Sequence, residues 1–195
     1  MKSTTDRTID LLVETEALLE GHFRLSSGRH SDRYCQCAKL LEHPAYAEEA
    51  GKSLADLFRD QGVDVVVAPA LGGIIIGHEV ARALGVRSIF AERQEGAMVL
   101  RRGFSLEPGA RVLVVEDVVT TGGSVREAAD LVRREGADVV GFGFILDRSG
   151  GALDLGAPAR ALAEMPLESY EPEHCPLCER GIEVTKPGSR PDARS

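Results

Sequence analysis

The stretch Val112-Leu-Val-Val-Glu-Asp-Val-Val-Thr-Thr-Gly-Gly-Ser124 decides the fold. An apolar run ends in two adjacent acids, and a loop of small residues then leads into a helical segment, Val125 to Arg134. A strand from Arg111 that stops at Glu116 and Asp117 sets both carboxylates at the carboxyl edge of a parallel sheet, where open α/β folds bind ligands. Thr120 to Ser124 then offer backbone N–H groups and hydroxyls at a helix amino end, an anion site. Acids accept from sugar hydroxyls and amides donate to phosphate, so one short segment fits a sugar diol and its phosphate. The blander reading makes Asp117 a helix cap and the glycines turn formers. The loop is not a P-loop, because no Lys follows the glycines and the G-x-x-x-x-G spacing is absent, and it lacks G-x-G-x-x-G.

Outward from this stretch, strand and helix alternate from Asp64 to Asp147. Asp64 to Pro69 is a short β-branched strand, Gly72-Gly73 opens a helix to about Leu84, and Ser88 to Glu92 is another strand. Val139 to Asp147 follows the signature helix, and Ala159 to Glu164 is a further candidate. Such alternation predicts a mostly parallel central sheet flanked by helices on both faces. Before it, Asp6 to Leu19 has helical periodicity, Gly21 to Gln36 is polar with little pattern, and Pro44 starts a helix to about Gln61. Arg93 to Gly109 is glycine-containing and weakly patterned, with a candidate strand at Met98 to Leu100.

The chain has 195 residues, 43% apolar and 28% charged, which suits one soluble globular domain. We expect a single domain over 1–188 and a disordered tail over 189–195, rich in charge, Pro and Gly. No apolar run approaches the roughly 20 residues that span a bilayer, and the amino end lacks a signal peptide's apolar stretch. We therefore expect a cytoplasmic protein without membrane partners. A formal charge of −8 argues against nucleic acid as a partner. The cysteines fall as Cys35-x-Cys37 and Cys175-x-x-Cys178, which is no disulfide framework in such a chain.

Pro69-Ala-Leu-Gly-Gly73 repeats the strand, small-residue loop, helix logic. Its glycines either let amides approach a second phosphate or merely turn the chain tightly. Asp147-Arg148 ends the last core strand, and a guanidinium there is either a surface charge or a planar fork for a carboxylate. Cys175-Pro-Leu-Cys178, beside His174, offers half of a zinc site. Zinc takes about four ligands, and no second C-x-x-C or H-x₃-H exists, so the ligand count favours a tail turn with free thiols. His22, His30, His43 and His78 lack metal-ligand spacing and read as ordinary polar or capping residues.

The signature stretch resembles the phosphoribosyl pyrophosphate (PRPP) motif of type I phosphoribosyltransferases. Gly21, Phe23, Leu25, Ser27, Gly28 and Ser31 match the G-x-F-x-L-x-S-G-x-x-S frame in the hood of orotate phosphoribosyltransferases. The Cys-Pro-Leu-Cys tail is similar to that of a subgroup with thermophile members. The resemblance implies the type I phosphoribosyltransferase fold with a small hood, made mainly of 1–45 and 158–188. It implies transfer of the 5-phosphoribosyl group from PRPP to orotate, giving orotidine 5′-monophosphate and diphosphate in pyrimidine biosynthesis.

Carried over onto this sequence, the resemblance assigns Glu116 and Asp117 to the ribose hydroxyls, Thr120, Thr121, Gly122, Gly123 and Ser124 to the 5′-phosphate, and Val118, Val119, Arg101 and Arg102 to PRPP more broadly. Ala70, Leu71, Gly72, Gly73 and Arg93 address the diphosphate, with Glu116, Asp117 and Arg93 as the catalytic set. Tyr34, Cys35, Thr120 and Arg148 hold orotate. It implies Mg²⁺ carried mainly by PRPP, with Asp117 as the one side chain in reach, and a homodimer. The sequence departs from the family at its mobile catalytic loop, Gln94 to Phe104, which starts Arg93-Gln94 and has Arg101 and Arg102 as its other cations. Lysines expected near Gly72 and Ser26 are also absent. A purine or xanthine phosphoribosyltransferase, or a PRPP-sensing regulator on the same fold, are the alternative readings.

Overall fold

The computed structural model describes residues 3–25, 27–166 and 168–187. The expected tail at 189–195 and the outermost residues of the expected hood, 1, 2 and 188, lie outside them. Six strands form the central sheet, in the order β5-β4-β3-β6-β7-β8. They are β3 (Val65–Pro69), β4 (Arg87–Gln94), β5 (Ala97–Leu100), β6 (Arg111–Val119), β7 (Asp138–Asp147) and β8 (Ala159–Glu164). All neighbours are parallel except β5, which runs antiparallel on β4 at one edge.

The sheet is buried on both faces because its central strands are apolar on both. Val66, Leu113, Val115 and Ile145 pack with α1 (Thr4–Glu14), α2 (Ala38–Leu41), α3 (Pro44–Asp56) and α4 (Gly73–Leu84). Val65, Val67, Val112, Val114 and Phe142 pack on the other face with α5 (Gly123–Arg134). That helix buries Val125, Ala128, Ala129 and Val132, a stripe at i, i+3, i+4 and i+7. The closest helix contact is at Gly51 of α3, where an added Cβ would lie 2.4 Å from Glu79 Cβ of α4. Among the described residues no helix is long and apolar enough to cross a membrane.

Several boundaries differ from the sequence reading. The first helix stops at Glu14 rather than Leu19; Glu16 turns the chain with φ of 54°, and Leu18 and Leu19 enter strand β1 (Leu18–Arg24). Pairing decides this, since Gln36 donates to the Ala17 carbonyl and Leu18 stands opposite Cys35 of β2 (His30–Cys35). The polar segment Gly21 to Gln36 is thus largely an antiparallel hairpin with an irregularity between Glu20 and Phe23. The helix from Pro44 ends at Asp56, followed by a single 3₁₀ turn at Arg59–Gln61. The weakly patterned segment after Glu92 begins as a tight hairpin, β4 to β5, whose turn residues Glu95 and Gly96 have φ of 51° and 85°. Positive φ at both central residues matches the twist of hairpin strands, but Glu-Gly is a weaker signal for it than Asn-Gly.

Strand β6 matters most for the site. It does not stop at Glu116 and Asp117 but runs to Val119, because Val118 and Val119 still pair with Leu146 and Asp147. Pairing with β3 ends at Val114. The two strands therefore part just before the acid pair. The chain leaves β3 toward β4 on one side and β6 toward β7 on the other, which makes this gap the topological switch point where α/β sheets bind ligands.

Candidate active site

Two loops rise from the switch point. The first, Ala70 to Gly72, follows β3 and contains a cis Ala70–Leu71 peptide. Its glycines are needed for closeness: a Cβ on Gly72 would sit 2.7 Å from Asp117 Oδ1, and one on Gly73 would sit 2.8 Å from the Val115 carbonyl. The second loop, Thr120 to Gly122, follows β6. Gly122 takes φ of 77° at the amino cap of α5, and no side chain caps that helix. Its first-turn amides therefore lack the partner a capping residue supplies, and they face the positive end of the helix dipole. Arg126 steadies the loop by donating to the Thr121 and Asp154 carbonyls.

Between the loops stand Glu116 and Asp117. Burial pushes Glu116 up to about 8, reinforced by the neighbouring Asp117 charge and opposed by Arg93. Asp117 is also raised by burial, against the pull of the Val118 N–H and its own N–H. Asp117 Oδ1 accepts from Val118 N at 2.9 Å. Two adjacent half-buried acids with raised pKa values are not a structural ion pair; such perturbation marks a site whose ligand supplies donors or positive charge.

The three cations of the expected catalytic loop are not equivalent. Arg93 lies close enough to act on Glu116, and it pairs with Glu127 of α5 at 2.7 Å. Arg102 pairs with Glu92 at 2.9 Å and lies over the Phe90 ring. Because Glu92 and Arg93 are successive residues of β4, their side chains leave opposite faces of the sheet. Arg101 is exposed and acts on the same Glu92. Only Arg93 is thus brought to the acid pair.

Arg148 follows β7, and its N–H donates to the Val119 carbonyl at 2.9 Å, which fixes it beside the second loop. Burial lowers its pKa, and the neighbours that act on it are Cys35, Tyr34 and Cys37. Its Nε is buried and has no hydrogen-bond partner among the described residues. Tyr34 is raised by burial and leans on Phe23 with ring centroids 5.9 Å apart. Cys35 Sγ lies 3.8 Å from Cys37 Sγ, and the hydrogen bond to Cys35, with burial second, pushes the Cys37 thiol well above the ordinary range. The Asp117 charge adds to that rise, so Cys37 lies within electrostatic reach of the acid pair. Sequence reasoning weighed Cys37 only as a possible metal ligand with Cys35, and it passed over Glu127 and Glu92, which carry no local signal because each matters through an arginine distant in the chain.

The metal reading of the histidines is corrected. His22 and His30 are not isolated polar residues: they converge on Cys175 and Cys178, with all four ligand atoms within 4.8 Å of one another. A search for a second C-x-x-C or H-x₃-H missed them because a hairpin, not a helix, brings the imidazoles together.

An acid pair and an open amide loop stand at the switch point of a parallel sheet, as the resemblance to phosphoribosyltransferases implies. The model of the phosphoribosyl transferase domain matches residues 36–170. The orotate phosphoribosyltransferase of Pelotomaculum thermopropionicum is 57% identical over 187 residues, covering 96% of this chain and 98% of its own length. That of Thermotoga maritima is 55% identical over 181 residues, covering 93% and 97%. The crystal structure of the Mycobacterium tuberculosis orotate phosphoribosyltransferase in complex with Fe(III) dicitrate aligns with a TM-score of 0.68 at 26% identity, over 82% of this chain and 97% of that one. The chain belongs to the orotate phosphoribosyltransferase family.

Proposed function

We propose that the chain joins orotate to PRPP, releasing diphosphate and orotidine 5′-monophosphate, as a step of pyrimidine biosynthesis. The observation that carries the orotate half is Arg148, a half-buried cation whose Nε is itself buried and has no partner among the described residues, near Tyr34 and Cys35. An unpaired buried charge is costly, and an anionic, planar ligand group removes that cost. A guanidinium fork fits the orotate carboxylate, while the Tyr34 ring and the Cys35 backbone bound the base.

In this reading the amides and hydroxyls of Thr120 to Ser124 take the 5′-phosphate, and Glu116 and Asp117 accept from the ribose hydroxyls. Ala70 to Gly73, with Arg93, take the diphosphate, while Arg101 and Arg102, directed at Glu92, would have to leave it to reach PRPP. The bond from the anomeric carbon to diphosphate breaks as orotate N1, giving up its proton to solvent or the departing diphosphate, bonds to that carbon, and the positive charge on the sugar falls beside two carboxylates that are costly to ionise without it. No nucleophilic side chain is required; orientation and charge stabilisation supply the rate. The acid pair beside amide-lined loops offers the hard oxygen donors that magnesium takes, with Asp117 as the side chain in reach. When bound, magnesium neutralises charge on the leaving diphosphate. We read the working form as a cytoplasmic homodimer, on the family resemblance.

The test is to mix protein, PRPP and magnesium with orotate, or with each purine base and xanthine, and to follow orotate absorbance and diphosphate release. Orotate-dependent diphosphate release is expected. Release with hypoxanthine or xanthine alone would move the reading to the purine enzymes, and PRPP binding without turnover on any base would make the chain a sensor.

A further inference from the structure

The small layer over the base pocket is poorly equipped to hold itself together. It consists of the β1–β2 hairpin and the segment 168–187, and an isolated hairpin is marginal in water. Its buried apolar side chains are few, chiefly Phe23, Cys175 and Leu177. The rest is polar pairing: His30 exchanges backbone hydrogen bonds with Tyr170, Thr185 N donates to the His22 carbonyl at 2.8 Å, and Ser31 Oγ donates to the Glu168 carbonyl at 2.8 Å. At its centre four soft or borderline ligand atoms meet. His22 Nε2 lies 2.8 Å from His30 Nδ1, 3.5 Å from Cys175 Sγ and 3.8 Å from Cys178 Sγ, and His30 Nδ1 lies 3.3 Å from Cys178 Sγ.

The hairpin register explains the convergence. Arg24 stands opposite His30, and His22, two residues before Arg24, shares its face, so the imidazoles are diagonal neighbours. The short helix α6 (Pro176–Glu179) sets Cys175 and Cys178 one turn apart at its ends. His22 Nδ1 lies 2.7 Å from the Ile182 carbonyl. A carbonyl only accepts, so Nδ1 carries the proton and Nε2 turns its lone pair toward the cluster. This outer hydrogen bond is the usual orienting contact of a metal-bound imidazole. A tetrahedron built on about 2.05 Å to nitrogen and 2.3 Å to sulfur has edges of about 3.4 Å (N–N), 3.6 Å (N–S) and 3.8 Å (S–S). Three of the four nitrogen–sulfur edges, at 3.5, 3.8 and 3.3 Å, straddle that value; with every pair within 4.8 Å, the imidazoles must part by about half an ångström and the widest pair close by about 1 Å or less. A simple His–His hydrogen bond accounts for the 2.8 Å contact but leaves two thiols converging on the same nitrogens.

We propose that His22, His30, Cys175 and Cys178 bind one zinc ion, which staples the C-terminal segment onto the hairpin. Two thiolates and two imidazoles are a closed structural set with no open position for substrate. Each thiol gives up its proton to solvent on binding, and two thiolates cancel the ion's charge, so the neutral site suits a buried position. Because β2 also carries Tyr34 and Cys35, the staple sets the rigidity of one wall of the base pocket. The proposal does not depend on which base is used.

The full-length, untagged protein, purified reduced from zinc-replete cells, is expected to contain about one zinc per chain. Cobalt substitution should give the intense visible bands of a tetrahedral site and a thiolate-to-cobalt charge-transfer band. Cys178→Ser, at the exposed ligand, should lose the metal and the charge-transfer intensity while retaining native circular dichroism; Cys37→Ser should keep the metal. Chelation should lower Tm of the wild type by about 5 °C or more and leave Tm of Cys178→Ser unchanged. Reduced wild-type protein that neither carries zinc nor takes up cobalt overturns the proposal, as does stoichiometric zinc in Cys178→Ser, or iron in place of zinc.

Discussion

Glu116→Gln separates the cost of the acid pair from its use. Free of ligand, Glu116 has its pKa raised from an ordinary 4.5 to about 8, by burial first and by Asp117 second. The folded protein then holds a proton that the unfolded chain has released. Stability from this group is complete below about pH 4.5, and it declines as pH rises, until the folded carboxyl has itself ionised above about 8. Linkage over these two values gives a loss of at most about 2.5 kcal/mol between pH 6 and pH 9, and relaxation with water entry reduces it to about 1–2 kcal/mol. Glutamine keeps the shape and cannot ionise. In urea unfolding of the ligand-free protein, the variant should therefore gain about 1–2 kcal/mol on the wild type from pH 6 to pH 9. Turnover should fall at the same time, because the carboxylate is placed for the sugar rather than for the fold. A wild-type minus variant difference that does not move with pH would refute the claim that Glu116 is held uncompensated, and with it the electrostatic reading of the site.

Asp117→Asn should reduce kcat by about 10²-fold or more with the fold intact, since one preorganised electrostatic contact is worth about 3 kcal/mol; unchanged turnover removes Asp117 from the mechanism. Arg148→Ala should raise KM for orotate far more than KM for PRPP, and equal effects would break the carboxylate assignment. Gly72→Ala places a methyl group 2.7 Å from Asp117 Oδ1, so PRPP binding should weaken at least tenfold by calorimetry; unaltered binding would show that the loop's closeness is incidental. Gly51→Ala, where α3 meets α4 with 2.4 Å of clearance to Glu79 Cβ, should destabilise by about 1–3 kcal/mol in urea without changing either KM.

The stretch from Arg111 to Arg134 was readable because strand, acid pair, anion loop and helix follow one another in about two dozen residues, and apolar periodicity reports each locally. The parallel sheet followed from the same alternation. Element ends were less legible, since they depend on partners. Strand β6 outruns the acid pair only because β7 continues beside it, and Leu18 and Leu19 leave a helical pattern because β2 is there to pair. The hairpin after Arg93 went unread for the same reason, and it changed the roles available to the arginines: pairing put Arg102 on Glu92 and left Arg93 beside Glu116.

Chain order alone determined a strand, an acid pair and an amide loop leading into a helix on a parallel sheet, because those elements are contiguous. Only the folded chain decided that the Arg148 Nε is buried without a partner among the described residues, near Tyr34 and Cys35, and that two histidines meet two cysteines more than 140 residues away. Side chains so far apart leave no mark on local periodicity; what joins them is strand register and the return of the carboxyl segment across the hairpin, and both exist only after the sheet has formed.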